Sequence, residues 1–503
     1  MLSKQILRQT AISLALLAGL GSQALAADWQ WATETEQRAL ADQLRQRIDQ
    51  QLPRPSLSAP RGSAQVVLQP MFSAQAGSWP FEPFVNNGLF RAIASYQPSH
   101  PQAITISGGA ITLEQLRQRL ADASIIKPYK DGYLLSYPLM IAPGGALLVQ
   151  NTKLYLYTPS GTALINQGTL SIRNATVQSV SEGDSADTDR PFRPFIIAWA
   201  GSSTEVSDSL LSKLGYNAHL SRGLTSARSA AQTSAPPAQV LIRDSRFDAL
   251  SSVELQYAQA SIERSEFTNL QQYGIDLQDS RLNLAHNRIT QVRNQSGIRV
   301  RGSSSGLIAH NKVLQASKAG IEISDQQGDL VLADNQIGAS KGNGVLLRNV
   351  GSNSASTLLL VGNLIGNNDA SGIYADNLQR GYLIDNRIQG SPDYAISTLN
   401  PRDQRSELVI IGNTLSQIGN ALIRTEGLQS LILGSNDYQL GPITQSVLVG
   451  DLLPLQSLLL DATYKRGCLI QVKPASATEA GFPRKRACSK TTLGATTGRN
   501  LNI

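Results

Sequence analysis

The chain predicts an all-β solenoid, a right-handed parallel β-helix with a small N-terminal α/β capping region, from three interleaved signals. First, Asn287, Asn311, Asn335, Asn363, Asn386, Asn413 and Asn436 recur at intervals of 24, 24, 28, 23, 27 and 23 residues, a period that marks stacked repeats. Second, short apolar runs precede the asparagines (Leu282 and Leu284, Leu330 to Leu332, Leu358 to Val361, Leu408 to Ile411), and an apolar residue follows two positions on (Ile289, Val313, Ile337, Ile365, Ile388). Runs this short read as strands, not buried helices. Third, Gly274-Ile275, Gly297-Ile298, Gly320-Ile321, Gly344-Val345 and Gly372-Ile373 are spaced by 23, 23, 24 and 28 residues: glycine fits a tight turn and the β-branched residue opens a strand.

Each coil therefore holds at least two strands separated by corners, and coils stack about 4.8 Å apart. Like residues then sit above like residues. The apolar positions make a continuous core, and the asparagines are expected to hydrogen-bond along the axis to neighbouring corners. A leucine-rich horseshoe shares the recurrent asparagine but needs a leucine frame absent here, and a propeller wants four strands per repeat.

Four regions follow. Residues 1–26 read as a secretory signal: Lys4 and Arg8, an apolar stretch from Ala11 to Leu20, and Ala24-Leu25-Ala26 as the cleavage pattern. Residues 27–140 form the expected capping region, with amphipathic helices over 34–51 and 112–121, Thr112 as an N-cap, and Pro53, Pro55 and Pro60 after the first helix. Its Trp29, Trp31 and Trp79 suit either packing or carbohydrate contact. The β-helix is placed at 141–460, with earlier coils visible at Leu170, Ile172 and Val177, then Val240, Ile242 and Phe247, then Ile262 and Phe267. Residues 226–237, rich in Ser, Ala and Pro, read as a projecting loop. In the tail, 461–503, a disulfide between Cys468 and Cys488 is expected in an oxidising compartment.

No later apolar run reaches 18 residues, so no stable membrane insertion is expected. The formal charge is +7, or +5 once Lys4 and Arg8 leave with the signal. That excess suits an anionic ligand, while export and the lack of a dense basic tract argue against nucleic acid. Four histidines and two cysteines without zinc-like spacing argue against a metal site, and no cofactor is expected.

Strand alternation identifies the informative face. If the residue after each glycine points inward, the next and third-next point outward. This gives Glu254 and Gln256, Asp276 and Gln278, Arg299 and Arg301, Glu322 and Ser324, Leu346 and Arg348, Tyr374 and Asp376. Stacked, they would make a flat face presenting donors and acceptors at a fixed step, suited to an extended polar polymer. Arg299, Arg301 and Arg348 match planar carboxylates, and Tyr374 and Leu346 the apolar face of a sugar ring. The competing reading is that acids and arginines only satisfy one another. His286 and His310, 24 residues apart, are expected as stacked neighbours at a corner.

Residues 195–225 (FIIAWAGSSTEVSDSLLSKLGYNAHLSRGLT), with YGIDLQDS at 273–280, GYLLSYPLMIAPGGALLV at 132–149 and the Gly-Ile coils, resemble the periplasmic mannuronan C5-epimerases of alginate biosynthesis. The resemblance covers roughly residues 110–440. It implies export to the periplasm, action on a linear polyuronate, and association with an envelope polysaccharide secretion complex. The family signature Asp-Pro-His-Asp corresponds here to Asp276, Leu277, Gln278 and Asp279, so glutamine stands where the family's catalytic histidine is expected.

Epimerisation at C5 requires neutralisation of the uronate carboxylate, removal of the C5 proton and its return from the other face. Gln278 has no titration near neutrality to offer. The resemblance places the carboxylate-neutralising arginine near Arg299 or Arg301, with Arg301 the nearer after a one-residue slip. Tyr216, in the LGYN element, is an alternative base if an arginine lowers its pKa, or else a positioning group. Three function classes remain: an epimerase-like enzyme with a relocated base, or a related polyuronate lyase; a catalytically degenerate protein that guides or protects an acidic exopolysaccharide; and a scaffold that docks another envelope protein.

Overall fold

A computed structural model describes residues 33–72, 79–86, 88–181, 192–351, 356–401, 406–427, 430–457, 468–472, 484–488 and 501–502. The expected signal, Trp29, Trp31 and the side chains of Cys468 and Cys488 lie outside the described residues.

The chain winds into a right-handed parallel β-solenoid. Among the described residues its strands fall into three sheets of 15, 16 and 14 members. Sheet 1 carries Ser252–Gln256, Ile275–Gln278, Ile298–Arg301 and Ile321–Ser324; sheet 2 carries Ala258–Glu263, Arg281–Ala285, Ser305–Ala309 and Leu330–Ala333; sheet 3 carries Glu266–Thr268, Arg288–Val292, Lys312–Ala316 and Gln336–Gly338. A coil thus has three strands. Between the sheets runs one continuous core from Ala64 to Ile470, most of it fully buried, in which stacked isoleucines and leucines recur coil after coil, joined by a Phe247–Phe267 pair at 4.7 Å.

The asparagines stack at the corner between sheets 2 and 3. Asn335 is representative: its Nδ2 donates to Ile308 O at 2.8 Å and to Asn363 Oδ1 at 2.9 Å, and its Oδ1 accepts from Asn311 N and Nδ2, both at 3.0 Å. All side-chain polar capacity is used inside the core wall. Upstream, serines take over the same position, with Ser245 N donating to Ser265 Oγ at 3.1 Å and Ser209 N to Ser245 Oγ at 3.2 Å. The ladder is therefore longer than its asparagines.

Parallel pairing begins earlier than residue 141: Ile104 to Ile106 pair with Leu139 to Ile141, and Gly109–Thr112 pairs with Gly145 to Leu148. Residues 27–140 consequently do more than cap. Helix Leu113–Leu120, closed by a capping box at Thr112, buries Leu113 and Leu116 in the first coils and covers the open end. Helix Glu34–Gln50, by contrast, lies along the outside of sheet 2, with Ala41, Leu44 and Ile48 packed on Leu307, Val331, Ala333 and Leu359. Arg38 reaches Asp385 at 2.6 Å and Arg47 reaches Asp329 at 2.6 Å, so the helix spans several coils. A third segment lies on the outside of sheet 1, where Phe81, Phe84, Leu89 and Ile93 cover Ile165, Phe195, Ile197 and Trp199. Trp79 belongs here, its ring 4.6 Å from that of Trp199; its use is packing.

The loop expected over 226–237 starts later than expected, since Ser226 is buried within strand Gly223–Ala227. At the far end, Cys468–Val472 joins sheet 2 antiparallel to Ser430–Gly434, and Arg484–Cys488 pairs with it so that Cys468 faces Cys488. Among the described residues, no helix is long and apolar enough to cross a membrane.

Candidate functional site

The register of sheet 1 places the outward residues in two rows. One runs Ile197, Thr225, Glu254, Asp276, Arg299, Glu322, Leu346, Tyr374; beside it run Gln278, Arg301, Ser324, Arg348 and Asp376, with Gln256 at their head. The side chains named by alternation are therefore stacked as expected. Upstream of Thr225 the row is apolar and lies beneath the N-terminal segment; from Glu254 to Glu322 it is charged and uncovered by that segment.

The face is not flat, and three of its four acids are buried. Glu254, Asp276 and Glu322 are 4, 1 and 3 % exposed, because corner residues and arginines close over them. Asp276 takes a bidentate pair from Arg299, Nε to Oδ1 at 2.8 Å and Nη2 to Oδ2 at 2.5 Å, while Arg299 Nη1 donates to the Tyr273 hydroxyl at 2.7 Å and its guanidinium stacks on that ring. Burial opposes the charge of Arg299, but the Asp276 carboxylate outweighs it and holds the arginine above its ordinary pKa. Burial also raises the Tyr273 phenol, against the pull of Arg299. Glu254 accepts from Arg222 Nη1 at 3.1 Å and from Gln256 Nε2 at 3.0 Å. Glu322 accepts from Ser296 Oγ at 2.6 Å and Lys318 Nζ at 2.7 Å.

Arg301 differs from its neighbours. Its Nη2 stands 4.0 Å from Glu254 and 3.9 Å from Asp276, beyond hydrogen-bond reach, and its Nε, like that of Arg222, is buried without a hydrogen-bond partner among the described residues. A buried, unpaired guanidinium N–H costs free energy, and the remainder of the Arg301 side chain is 30 % exposed toward the cleft. The cleft above it, about 470 Å³, is lined by Arg222, Glu254, Gln256, Tyr273, Gln278, Arg299 and Arg301, with His219, Gln272 and Gln295 on its corner wall. Three arginines stand against two carboxylates, Glu254 and Asp276, so the cleft carries a surplus positive charge suited to an anion.

Gln278 lines this cleft and donates through Nε2 to Asp279 Oδ2 at 3.1 Å. Asp279 itself sits at the corner with φ 49° and accepts from Ser303 N at 2.9 Å and Ser303 Oγ at 3.1 Å. Its carboxylate ties the corner to the next coil, where a Cβ on Gly302 would lie 2.2 Å from Oδ1. Glycine at 302 is thus required by this aspartate, and Asp279 is set as a brace beside the cleft.

Tyr216 is placed elsewhere. It is 7 % exposed in an aromatic cluster with Phe192 and Phe195, and burial pushes its phenol up to about 12, the direction opposite to that required of a base. Its role is to anchor the turn that follows: Tyr216 N donates to Ser221 O at 3.0 Å and Thr225 Oγ1 to Leu220 O at 2.7 Å. Leu346, proposed to meet a sugar ring, is 3 % exposed and belongs to the packed wall, whereas Ser324 and Tyr374 are half-buried and Arg348 and Asp376 exposed farther along the same face. His286 and His310 stack at 4.8 Å, but His286 lines a separate, open concavity of about 1080 Å³ at the sheet 3 corner. There, acids and arginines pair with each other, as in Arg264 with Asp244 at 2.8 Å.

The residues missed by alternation are His219, Arg222, Tyr273, Gln272, Gln295 and Lys318. All lie on corners leading into sheet 1, most of them one or two positions before the Gly-Ile dipeptides. A rule that follows strands cannot reach corners, though their fixed offset from the glycines was a usable signal. Among the described residues no group of three or more His, Cys, Asp or Glu is gathered to hold a metal.

Comparisons with known proteins agree with this architecture. Residues 232–374 match the family described as right handed beta helix region. The chain is 25 % identical over 421 residues to a mannuronan C5-epimerase of Pseudomonas aeruginosa, covering 75 % of this chain and 74 % of that protein. It is 25 % identical over 419 residues to the mannuronan C5-epimerase AlgG of Azotobacter vinelandii, covering 77 % and 78 %. The crystal structure of the periplasmic alginate epimerase AlgG superposes with a TM-score of 0.65 at 19 % identity, over 78 % of this chain and 95 % of that one, which supports the fold.

Proposed function

We propose that this protein processes a linear polyuronate in the periplasm as a C5-epimerase of mannuronate residues, with a base other than the residue at position 278. The single observation that carries the reading is Arg301, without a side-chain hydrogen bond among the described residues, at the floor of a positively charged cleft on a stacked face. It is supported by the similarity to mannuronan C5-epimerases along three quarters of the chain.

In this reading Arg301 pairs with the uronate carboxylate, lowering the cost of charge that develops there when the C5 proton leaves. Arg299 is already committed to Asp276 and Tyr273 and supports the geometry of the floor. Arg348, Tyr374 and Asp376 continue the track for flanking sugars, each coil adding contacts about 4.8 Å further on. Export through residues 1–26, a Cys468–Cys488 bridge and contacts with envelope secretion proteins belong to the same proposal.

Gln278 favours a second reading, in which the groove binds and guides the polymer without chemistry, and a lyase shares the first proton abstraction. Incubation of purified protein with polymannuronate in deuterated water, followed by NMR, separates them. Deuterium at C5 with guluronate signals supports the epimerase; unsaturated ends indicate a lyase; polymer retention with unchanged composition indicates passive handling.

A further inference from the structure

We propose that His219 is the proton-abstracting base of the cleft, supplied by a corner turn two coils before the strand that carries Gln278. The inference rests on the epimerase reading and specifies its missing chemical group.

The cleft leaves few alternatives. Its glutamines carry no base, and arginine offers hydrogen-bond donors only. Glu254 is buried and already takes Arg222 and Gln256, and the Tyr273 phenol is raised by burial while accepting from Arg299. Asp276 lies under the bidentate Arg299 pair. Histidine is the side-chain type whose ordinary titration falls near neutrality, and His219 is exposed on the wall of the same cleft as Arg301 and Gln278.

Its turn is built to hold a side chain in place. The buried ring of Tyr216 anchors the entry among Phe192 and Phe195, and Tyr216 N to Ser221 O closes the loop. Ala218 N donates to Tyr216 O at 2.8 Å and Ser221 N to Ala218 O at 3.1 Å, and Leu220, with φ 62°, is buried beneath the turn. Arg222, at the exit, is clamped to Glu254. His219 therefore sits between two fixed points, which is the support a positioned base needs.

In the step, the C5–H bond breaks, the proton passes to an imidazole nitrogen of His219, and the electron pair enters the carboxylate as an enediolate opposite Arg301. A proton from water then returns to C5 from the other face, the enediolate collapses, and the imidazolium loses its proton to solvent. No oxidant or further reactant is consumed.

The test uses the full chain with polymannuronate in deuterated water, comparing the parent with His219→Gln and His219→Ala, and with polymer affinity and melting temperature measured alongside. Loss of C5 deuteration and guluronate formation by roughly 10²-fold or more, with affinity within threefold and melting unchanged, is the expected result. The parent's rate should rise with pH as the base gives up its proton, a dependence that His219→Gln abolishes. An active parent with a His219→Gln variant within threefold of it overturns the assignment and leaves the epimerase reading standing. A parent that binds polymer yet produces neither label nor guluronate overturns both.

Discussion

Two ladders of stacked polar side chains run along this solenoid, and they are opposite in character. At the corner between sheets 2 and 3, seven asparagines repeat one set of bonds, each donating to a backbone carbonyl and accepting from the coil before. On the outside of sheet 1, the same axial spacing carries Glu254, Asp276, Arg299 and Glu322, each different from the last. A uniform ladder closes on itself and leaves nothing over. A heterogeneous one cannot: Arg299 satisfies Asp276, Arg222 satisfies Glu254 with its own Nε unpaired, and Arg301 is left lining the cleft with no side-chain hydrogen bond among the described residues. In a stack of coils, structure follows from repetition and the site from its interruption.

The contrast is broken most severely within the uniform ladder. Asn335→Ala removes four hydrogen bonds, depriving Asn311 N and Ile308 O of their side-chain partner in the core wall, while Asn363 Oδ1 keeps only the Asn335 backbone N–H. A loss of about 3–5 kcal/mol is expected, read as a lower denaturant midpoint, with polymer affinity unchanged where the variant remains folded. A midpoint equal to that of the parent would show that the ladder contributes no net stability.

Next in size is Arg299→Ala, which strips a nearly inaccessible Asp276 of its bidentate partner. Burying an uncompensated carboxylate costs about 3 kcal/mol or more, though Arg301, 3.9 Å away, is free to move in and recover part of it. That rearrangement would draw Arg301 from the cleft, so both denaturation midpoint and polymer binding should fall. Arg301→Ala sharpens the distinction. Its stability change should stay under about 1 kcal/mol, since its contacts at 3.9 and 4.0 Å are weak, while the lost charged hydrogen bonds lower polymer affinity about 10- to 100-fold. Equal affinity in isothermal titration would remove Arg301 from the site.

How far the sequence reveals this molecule depends on what each residue's neighbours are. The solenoid was legible because its core obeys one period, and the outward rows because strand alternation needs no long-range information. Helix Glu34–Gln50 was recognisable as a helix, but its berth was not. Its docking site was written in the uninterrupted run Leu330 to Ala333, where outward Val331 and Ala333 are as apolar as the inward leucines because the helix covers them. Such runs signal a strand buried on both faces, and they were read only as core. Asp276 shows the same limit from the other side: alternation gave its direction, but its burial depends on Arg299 and Tyr273 from other coil positions. His219 and Arg222 escaped because alternation follows strands and stops at the corners; Arg222 directly precedes Gly223, whereas His219 stands four positions before it in a turn with no counterpart at the Gly-Ile corners.

The smallest effect concerns the anchor beneath that corner. Burial raises the Tyr216 phenol from the usual 10 to about 12, so the folded state holds this proton through a range in which the unfolded chain releases it. The associated stability is complete below pH 10 and is lost progressively as pH rises toward 12. Tyr216→Phe removes the ionisable group while keeping the ring among Phe192 and Phe195. Its unfolding free energy should therefore decline less steeply than the parent's between pH 10 and 12, with little change at pH 7 beyond the loss of one hydroxyl contact. Parallel declines would show that the phenol ionises as readily in the fold as outside it, and that the turn carrying His219 is less firmly held than its packing indicates.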